Sequence, residues 1–126
     1  MRKKVLPVLL ALVVLFAGGA AIAFWRGIRG IQMMEIGEIN PGQVADGVYP
    51  GSIQAGPIGV ELTVTVAGGK ITAIDIQRHD HGRGAAGEKI TDRIIAEQSL
   101  QVDTISGATY SSKVILKAVE KALGSG

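Results

Sequence analysis

The 126-residue sequence contains no cysteine, which excludes disulfides, iron–sulfur clusters, thiolate metal sites and lipid attachment to an N-terminal cysteine. Aromatic residues are also scarce, and Phe16, Phe24 and Trp25 all fall within the first 25 residues. Tyr49 and Tyr110 are therefore the only aromatic residues in the remainder, so a planar ligand bound there would find few stacking partners.

The chain also lacks an excess of positive charge beyond its N-terminus. Arg2, Lys3 and Lys4 precede a long uncharged segment, and the residues after Trp25 contain ten Lys and Arg against eleven Asp and Glu. A protein that binds nucleic acid through phosphate contacts needs a basic surface. We therefore expect no nucleic-acid partner.

What the sequence does contain is an uncharged apolar run from Val5 to Trp25. About 20 helical residues, each rising about 1.5 Å, span the hydrocarbon core of a bilayer, and a terminal tryptophan suits the interface. Three basic residues precede the run, and only Arg26 and Arg29 follow closely, so the N-terminus is predicted to be cytoplasmic. We expect residues 1–25 to form a single-pass anchor in the cell membrane, with an extracytoplasmic C-terminal domain.

A cleaved secretory signal is the alternative, because Ala21-Ile22-Ala23 is a small-x-small cleavage pattern. The apolar region of a cleaved signal usually has only about 7–15 residues, which favours an uncleaved anchor. Both interpretations export the remainder of the chain.

Beyond the anchor, residues 26–43 mix glycine, proline and polar residues and are predicted to form a linker, whereas residues 44–126 form one small domain. Apolar and polar residues alternate over residues 60–66, a glycine-containing turn follows, and residues 71–77 return, which together predict an antiparallel hairpin. Residues 46–51 are predicted to form an edge strand.

Apolar residues at helical spacing predict a short helix over residues 88–97 and a longer helix that begins near Thr109. Residues 101–105 are predicted to form a last short strand between them. This order predicts an α+β fold, a small antiparallel sheet packed with helices, preceded by a single N-terminal transmembrane helix.

The most informative segment is residues 103–112, which groups small residues with the hydroxyls of Ser106, Thr109, Ser111 and Ser112. The first N–H groups of a helix lack intrahelical partners, and the helix dipole favours negative charge there, so a phosphate would be stabilised. The alternative is that these hydroxyls only cap the helix. Capping needs one hydroxyl rather than four.

The pattern Asp103-x-x-Ser106-Gly107-Ala108-Thr109-x-Ser111-Ser112 resembles the FMN-binding domain family of sodium-pumping NADH:quinone reductase and Rnf-type electron-transport complexes. The motifs Asp46-Gly47-x-Tyr49-x-Gly51 and Gly68-Gly69-Lys70-Ile71 extend the resemblance over residues 44–123. It implies that FMN is joined to Thr109 through a phosphoester, installed by a magnesium-dependent FAD:protein FMN transferase. It also implies cofactor contacts for the neighbouring motif residues, which are Asp103, Ser106, Gly107, Ala108, Tyr110 and Ser111.

A glycine-rich loop, residues 82–87, formally matches the dinucleotide-binding pattern G-x-G-x-x-G. The preceding strand returns from an antiparallel hairpin and the domain is too short for a doubly wound sheet, so we do not interpret it that way. In the resembled family a glycine-rich loop, often Glu-Thr-Pro-Gly-x-Gly, approaches the flavin, and this chain departs from that pattern. His79 and Gly84 are the cofactor contacts that the resemblance implies here.

His79-x-His81 has only Asp80 nearby, which completes no coordination shell, so no metal site is expected.

These observations predict a membrane-anchored, extracytoplasmic FMN protein that transfers electrons and is more typical of a carrier or redox-complex subunit than of a stand-alone enzyme, with no catalytic residues of its own. Its expected partners are the FMN transferase, for maturation, and a membrane dehydrogenase or redox complex. Three alternatives stay open: a reductase with noncovalent FMN, a non-redox membrane-tethered module, and a soluble carrier released by cleavage of the leader.

Overall fold

The computed structural model describes residues 2–80 and 85–124, with side chains from residue 5 onward. Three antiparallel strands form one sheet in the order β1 (Gly47–Ala55), β2 (Ile58–Ala67), β3 (Lys70–Asp80). The alternation along β2 puts its apolar side chains into the core, whereas Glu61 faces solvent. Gly68 and Gly69 both adopt positive φ in the β2–β3 turn, as two-residue hairpin loops require. The predicted hairpin is confirmed.

Three α-helices accompany this sheet in the described residues: α1 (Arg2–Gln32), α2 (Ile90–Glu97) and α3 (Thr109–Gly124). Short 3₁₀ helices cover Pro41–Gln43 and Ala85–Lys89. The apolar face of α3 lies across β1 and β2 and is fully buried at Val114, Ile115 and Val119. The predicted α+β class is confirmed.

Residues 101–105 form no strand, so the prediction of a last short strand there is wrong. The backbone of this segment forms hydrogen bonds with side chains rather than with a neighbouring strand. The Arg93 guanidinium donates to the carbonyl oxygens of Asp103 (2.8 Å) and Thr104 (3.2 Å), and the Ile105 N–H donates to Ser112 Oγ (3.0 Å). Because these groups are already satisfied, the segment follows the domain surface as an ordered loop.

Helix α1 is long and apolar enough to cross a membrane from Val5 to Gln32. It continues seven residues past Trp25, into the region for which the sequence predicts a linker. Ile31, in this extension, is completely buried in the domain core. The last turns of α1 are therefore both the end of the candidate membrane helix and a packed element of the domain. The predicted boundaries between anchor, linker and domain, at residues 25 and 43, stay predictions.

Residues 33–40, which we call the strap, run from α1 along the domain. The Glu38 carboxylate accepts hydrogen bonds from the Ile39 N–H (3.0 Å), the Ser99 hydroxyl (3.0 Å) and the Leu100 N–H (3.3 Å). The Ile39 N–H contributes most to holding the pKa of Glu38 below its ordinary value; desolvation opposes it, and the hydrogen bonds from Ser99 and Leu100 add to the lowering. The Gln101 side chain also donates to the Ile36 carbonyl (3.2 Å), so the strap is fixed at Ile36 as well as at Glu38.

Candidate functional site

A β-turn over residues 105–108 leads into α3. The Ala108 N–H donates to the Ile105 carbonyl (2.9 Å), and Gly107 adopts φ +79° at the third position, where type II turns favour glycine. The Ala108 carbonyl then accepts from the Ser112 N–H (2.9 Å), which makes Thr109 the first residue of the helix. The turn therefore presents Thr109 where the N–H groups of the first helical turn point outward.

Two of the four clustered hydroxyls are engaged inside the protein. Ser112 is fully buried, and its hydroxyl donates to the Ala108 carbonyl (2.7 Å) while it accepts from the Ile105 N–H (3.0 Å). Ser111 is 3 % exposed, and its Oγ lies 3.0 Å from His79 Nε2. Thr109 and Ser106 are exposed. Neither bond of Ser112 reaches a free N–H of the first turn of α3, so its hydroxyl fixes the preceding turn to the helix and does not cap the helix.

His79 connects strand β3 to the start of α3. Its side chain is 3 % exposed, and Nδ1 lies 3.5 Å from the Glu88 carboxylate, opposite the Ser111 contact. Gly87 allows this close arrangement, because a Cβ there would lie 3.0 Å from the Cβ of Ser111. The His79 imidazole therefore packs against the buried Ser111 side chain and helps to fix the first turn of α3.

A groove of about 620 Å³ opens beside Thr109. Ligand sites typically have about 300–1,000 Å³ and largely apolar walls with a few convergent polar groups. The groove has that character, and three parts of the chain line it: the end of α1 (Phe24, Ile28, Gln32), the start of β2 and the turn before it (Pro57, Ile58), and the start of α3 (Gly107, Ala108, Thr109, Tyr110, Ser111, Lys113).

One end of the groove is closed by a hydrogen bond between helices. Gln32 Nε2 of α1 donates to the Tyr110 hydroxyl of α3 (2.8 Å), and Lys113 Nζ donates to the Gln32 carbonyl (3.1 Å). Lys113 also gives this wall a positive charge close to the helix start, where an anionic group would be stabilised.

The structure brings most of the predicted site residues to this groove. Gly107, Ala108, Thr109, Tyr110 and Ser111 line it. The other predicted site residues do not line the groove. Ser106 is on the exposed side of the turn, Asp103 lies beside Arg93, and His79 reaches the site only through Ser111. Gly84 lies outside the described residues.

Sequence reasoning missed the walls that α1 and the β1–β2 turn contribute. Ile28, Ile31 and Gln32 continue the helical spacing beyond Trp25, which was the available signal for α1. Arg26, Arg29 and the four glycines of residues 26–43 favoured a linker instead. Pro57 and Lys113 carry no pattern that would single them out.

Residues 54–124 match the family model described as "FMN-binding domain". Because this match covers more than half of the chain, the chain belongs to the FMN-binding domain family, and its cofactor is FMN. It is also similar to an uncharacterized protein of Treponema pallidum (strain Nichols), with 37% identity over 87 residues, 67% of this chain. The aligned region is 24% of that relative, so the chain spans about a quarter of its length.

The residues of the groove fit this cofactor. The N–H groups of Thr109, Tyr110 and Ser111 begin α3 and suit a phosphate, whereas Phe24, Ile28 and Ile58 offer apolar surface to a ring system. Thr109 is exposed and lines the same groove.

Proposed function

We propose that this protein is a membrane-anchored, extracytoplasmic electron carrier whose FMN is esterified to Thr109. The observation that supports attachment at Thr109 is the difference between the clustered hydroxyls. Thr109 is exposed and lines the groove, whereas Ser111 and Ser112 are buried and hydrogen-bonded within the protein. Ser106 is exposed but does not belong to the groove lining.

Attachment would be a phosphoryl transfer from FAD, catalysed by an FAD:protein FMN transferase. Thr109 Oγ1 attacks the phosphorus on the flavin side of the pyrophosphate, an Oγ1–P bond forms, and the P–O bond to AMP breaks. AMP leaves, the hydroxyl proton passes to a base, and no electrons are exchanged. A threonine hydroxyl is a weak nucleophile at its free pKa, so the transferase must supply the base and the magnesium. This chain supplies an accessible hydroxyl next to Gly107 and Ala108, which leave room for the enzyme.

Bound FMN supplies one- and two-electron chemistry, while the protein sets its position and exposure. The residues of this site are suited to holding a cofactor. His79 and Ser111 support the helix start, Gln32 and Tyr110 close the groove, and the membrane helix keeps the domain near membrane partners. A membrane dehydrogenase or a multisubunit redox complex is the partner class that we propose.

Substitution of the attachment residue tests this function. We expect Thr109→Ala, co-expressed with the transferase, to lose all flavin fluorescence in a denaturing gel, because no other exposed serine or threonine among the described residues lines the groove. Ser106→Ala is the matched control, since it removes an exposed hydroxyl from the same turn, and it should keep full fluorescence. Thr109→Ser should keep part of it, because the hydroxyl remains.

Intact mass gives the second measurement. The wild-type protein should be heavier by one FMN minus one water, and peptide mapping should locate the addition at Thr109. Fluorescence retained by Thr109→Ala would disprove the attachment site. FMN that leaves the wild-type protein on denaturation would instead favour a noncovalent flavin reductase.

A further inference from the structure

The family match begins at residue 54, yet one wall of the groove comes from residues 24–32 of the membrane helix. We propose that α1 is part of the FMN site, with Phe24 and Ile28 packed against the flavin ring system. This inference rests on the proposed function only in taking Thr109 as the attachment point. It assigns binding residues to the anchor, which would otherwise serve only to hold the protein in the membrane.

The contacts between α1 and the domain support this assignment. Gln32 bonds to Tyr110 and Lys113, and Ile31 is fully buried, so the last turn of α1 is fixed on the domain core. Phe24 and Ile28 lie two and one turns before this point and face the same groove. Their side chains are therefore held at a defined distance from Thr109.

A pair of glycines sets the width of the groove. Gly27 of α1 lies against Gly56 of the β1–β2 turn, and a Cβ on either residue would approach the backbone of the other to 2.8 Å. Helix and turn therefore touch through their backbones, at a point adjacent to Pro57 of the lining. A side chain at this contact would separate α1 from the domain without removing any residue that lines the groove.

The distribution of aromatic rings also favours α1 as a ring-binding wall. The domain offers Tyr110 alone to the groove, because Tyr49 lies elsewhere and donates its hydroxyl to the Ala45 carbonyl. Phe24 is the one other aromatic side chain of the lining. A planar ring system in the groove would thus lie between one ring from the domain and one from the membrane helix.

Phe24 and a matched phenylalanine on the same helix allow a direct test. The full-length protein, loaded by the transferase and reconstituted in lipid nanodiscs, is compared with Phe24→Ala and Phe16→Ala. Phe16 is 82% exposed along the membrane-spanning part of α1 and does not line the groove. We expect iodide to quench the flavin fluorescence more strongly in Phe24→Ala than in the wild type, and equally in Phe16→Ala and the wild type. Covalent flavin, measured in a denaturing gel, should be the same in all three.

Gly27→Leu is the second variant, with Gly30→Leu as its control. A Cβ at Gly30 would meet no described atom within 4 Å, although both glycines lie on the same helix. Trp25 is the only tryptophan, so energy transfer from Trp25 to the flavin reports how α1 lies relative to the cofactor. Gly27→Leu should reduce this transfer and increase iodide quenching, whereas Gly30→Leu should change neither.

Unchanged quenching in both Phe24→Ala and Gly27→Leu would overturn the inference, even if the covalent flavin is present. A wild-type protein without covalent flavin would instead contradict the attachment at Thr109. The α1 wall would then be tested by titrating free FMN and following Trp25 fluorescence. Phe24→Ala should weaken that binding about tenfold, which corresponds to about 1.4 kcal/mol of lost aromatic packing. Equal affinity would reject the role of α1.

Discussion

At the scale of single residues, burial separates four hydroxyls that look alike in the sequence. Ser106 and Thr109 are exposed, Ser111 contacts His79, and Ser112 bonds to the backbone on both sides of the turn. The two buried serines fix the start of α3 to the preceding turn and to strand β3, and the N–H groups of the first helical turn are not their partners. The fold of this segment therefore depends on Ser111 and Ser112, whereas its proposed chemistry depends on Thr109.

Ser112→Ala should lower the free energy of unfolding by about 1–2 kcal/mol, because it removes two buried hydrogen bonds and leaves the Ile105 N–H without its acceptor. Ser106→Ala, on the exposed side of the same turn, should change it by less than about 0.5 kcal/mol. Urea denaturation of the detergent-solubilised protein, followed by circular dichroism, measures both. Equal midpoints for the two variants would contradict the structural role of Ser112.

The sequence motif was sufficient to predict which segment lines the groove, since small residues and hydroxyls before an amphipathic helix are a local pattern. It could not predict which hydroxyl is free, because that depends on His79 of β3 and on the turn at Gly107. Asp103 shows the same limit. Its place in the motif suggested a contact with the cofactor, but it lies beside Arg93, outside the groove lining.

At the scale of secondary-structure elements, prediction succeeded where one side of an element is buried. The alternation along β2 and the spacing along α2 and α3 both reflect a single core. It failed at residues 101–105, where side chains satisfy the backbone. Sequence reasoning also gave no sign that the end of α1 packs on the domain, because charged residues and glycines are frequent there. Residues 101–105 bond to side chains 7 to 11 positions away, and α1 bonds to α3 about 80 positions away, so neither set of contacts follows from local spacing.

Strand β1 contains a glycine on which the packing of α3 depends. A Cβ at Gly51 would overlap the Ala118 carbonyl oxygen and would lie 2.8 Å from the Ala122 Cβ. We expect Gly51→Ala to push α3 from the sheet and to destabilise the domain by about 1–3 kcal/mol.

Gly47→Ala is the control on the same strand, because its Cβ would meet the Tyr49 ring at an ordinary 3.6 Å. Thermal unfolding of both variants compares them directly, with a lower midpoint expected for Gly51→Ala only. Equal midpoints would show that α3 can move at little cost.

At the scale of the whole molecule, the absence of cysteine makes the membrane orientation easy to test. A single cysteine can be placed at Lys3, before the candidate membrane-spanning part of α1, or at Asp92, which is exposed on the domain. A membrane-impermeant maleimide applied to intact cells should label Asp92→Cys and not Lys3→Cys, because the basic N-terminus is expected to be cytoplasmic. The reverse pattern would contradict the proposed orientation. Mass of the labelled chain also reports whether the leader is retained.

The strap and the buried end of α1 have a consequence for how the protein meets its partners. A flexible linker of 18 residues, the length of residues 26–43, would let the domain explore about 23 Å around its anchor. Helix α1 instead enters the domain core, and Glu38 fixes the residues that follow. With α1 spanning the bilayer as we propose, the groove would be carried at one height and in one tilt, and its encounters with membrane partners would be a search in two dimensions. A membrane partner whose redox group lies at that height would meet the groove at a high effective concentration. A partner whose redox group lies at another height would hardly meet it.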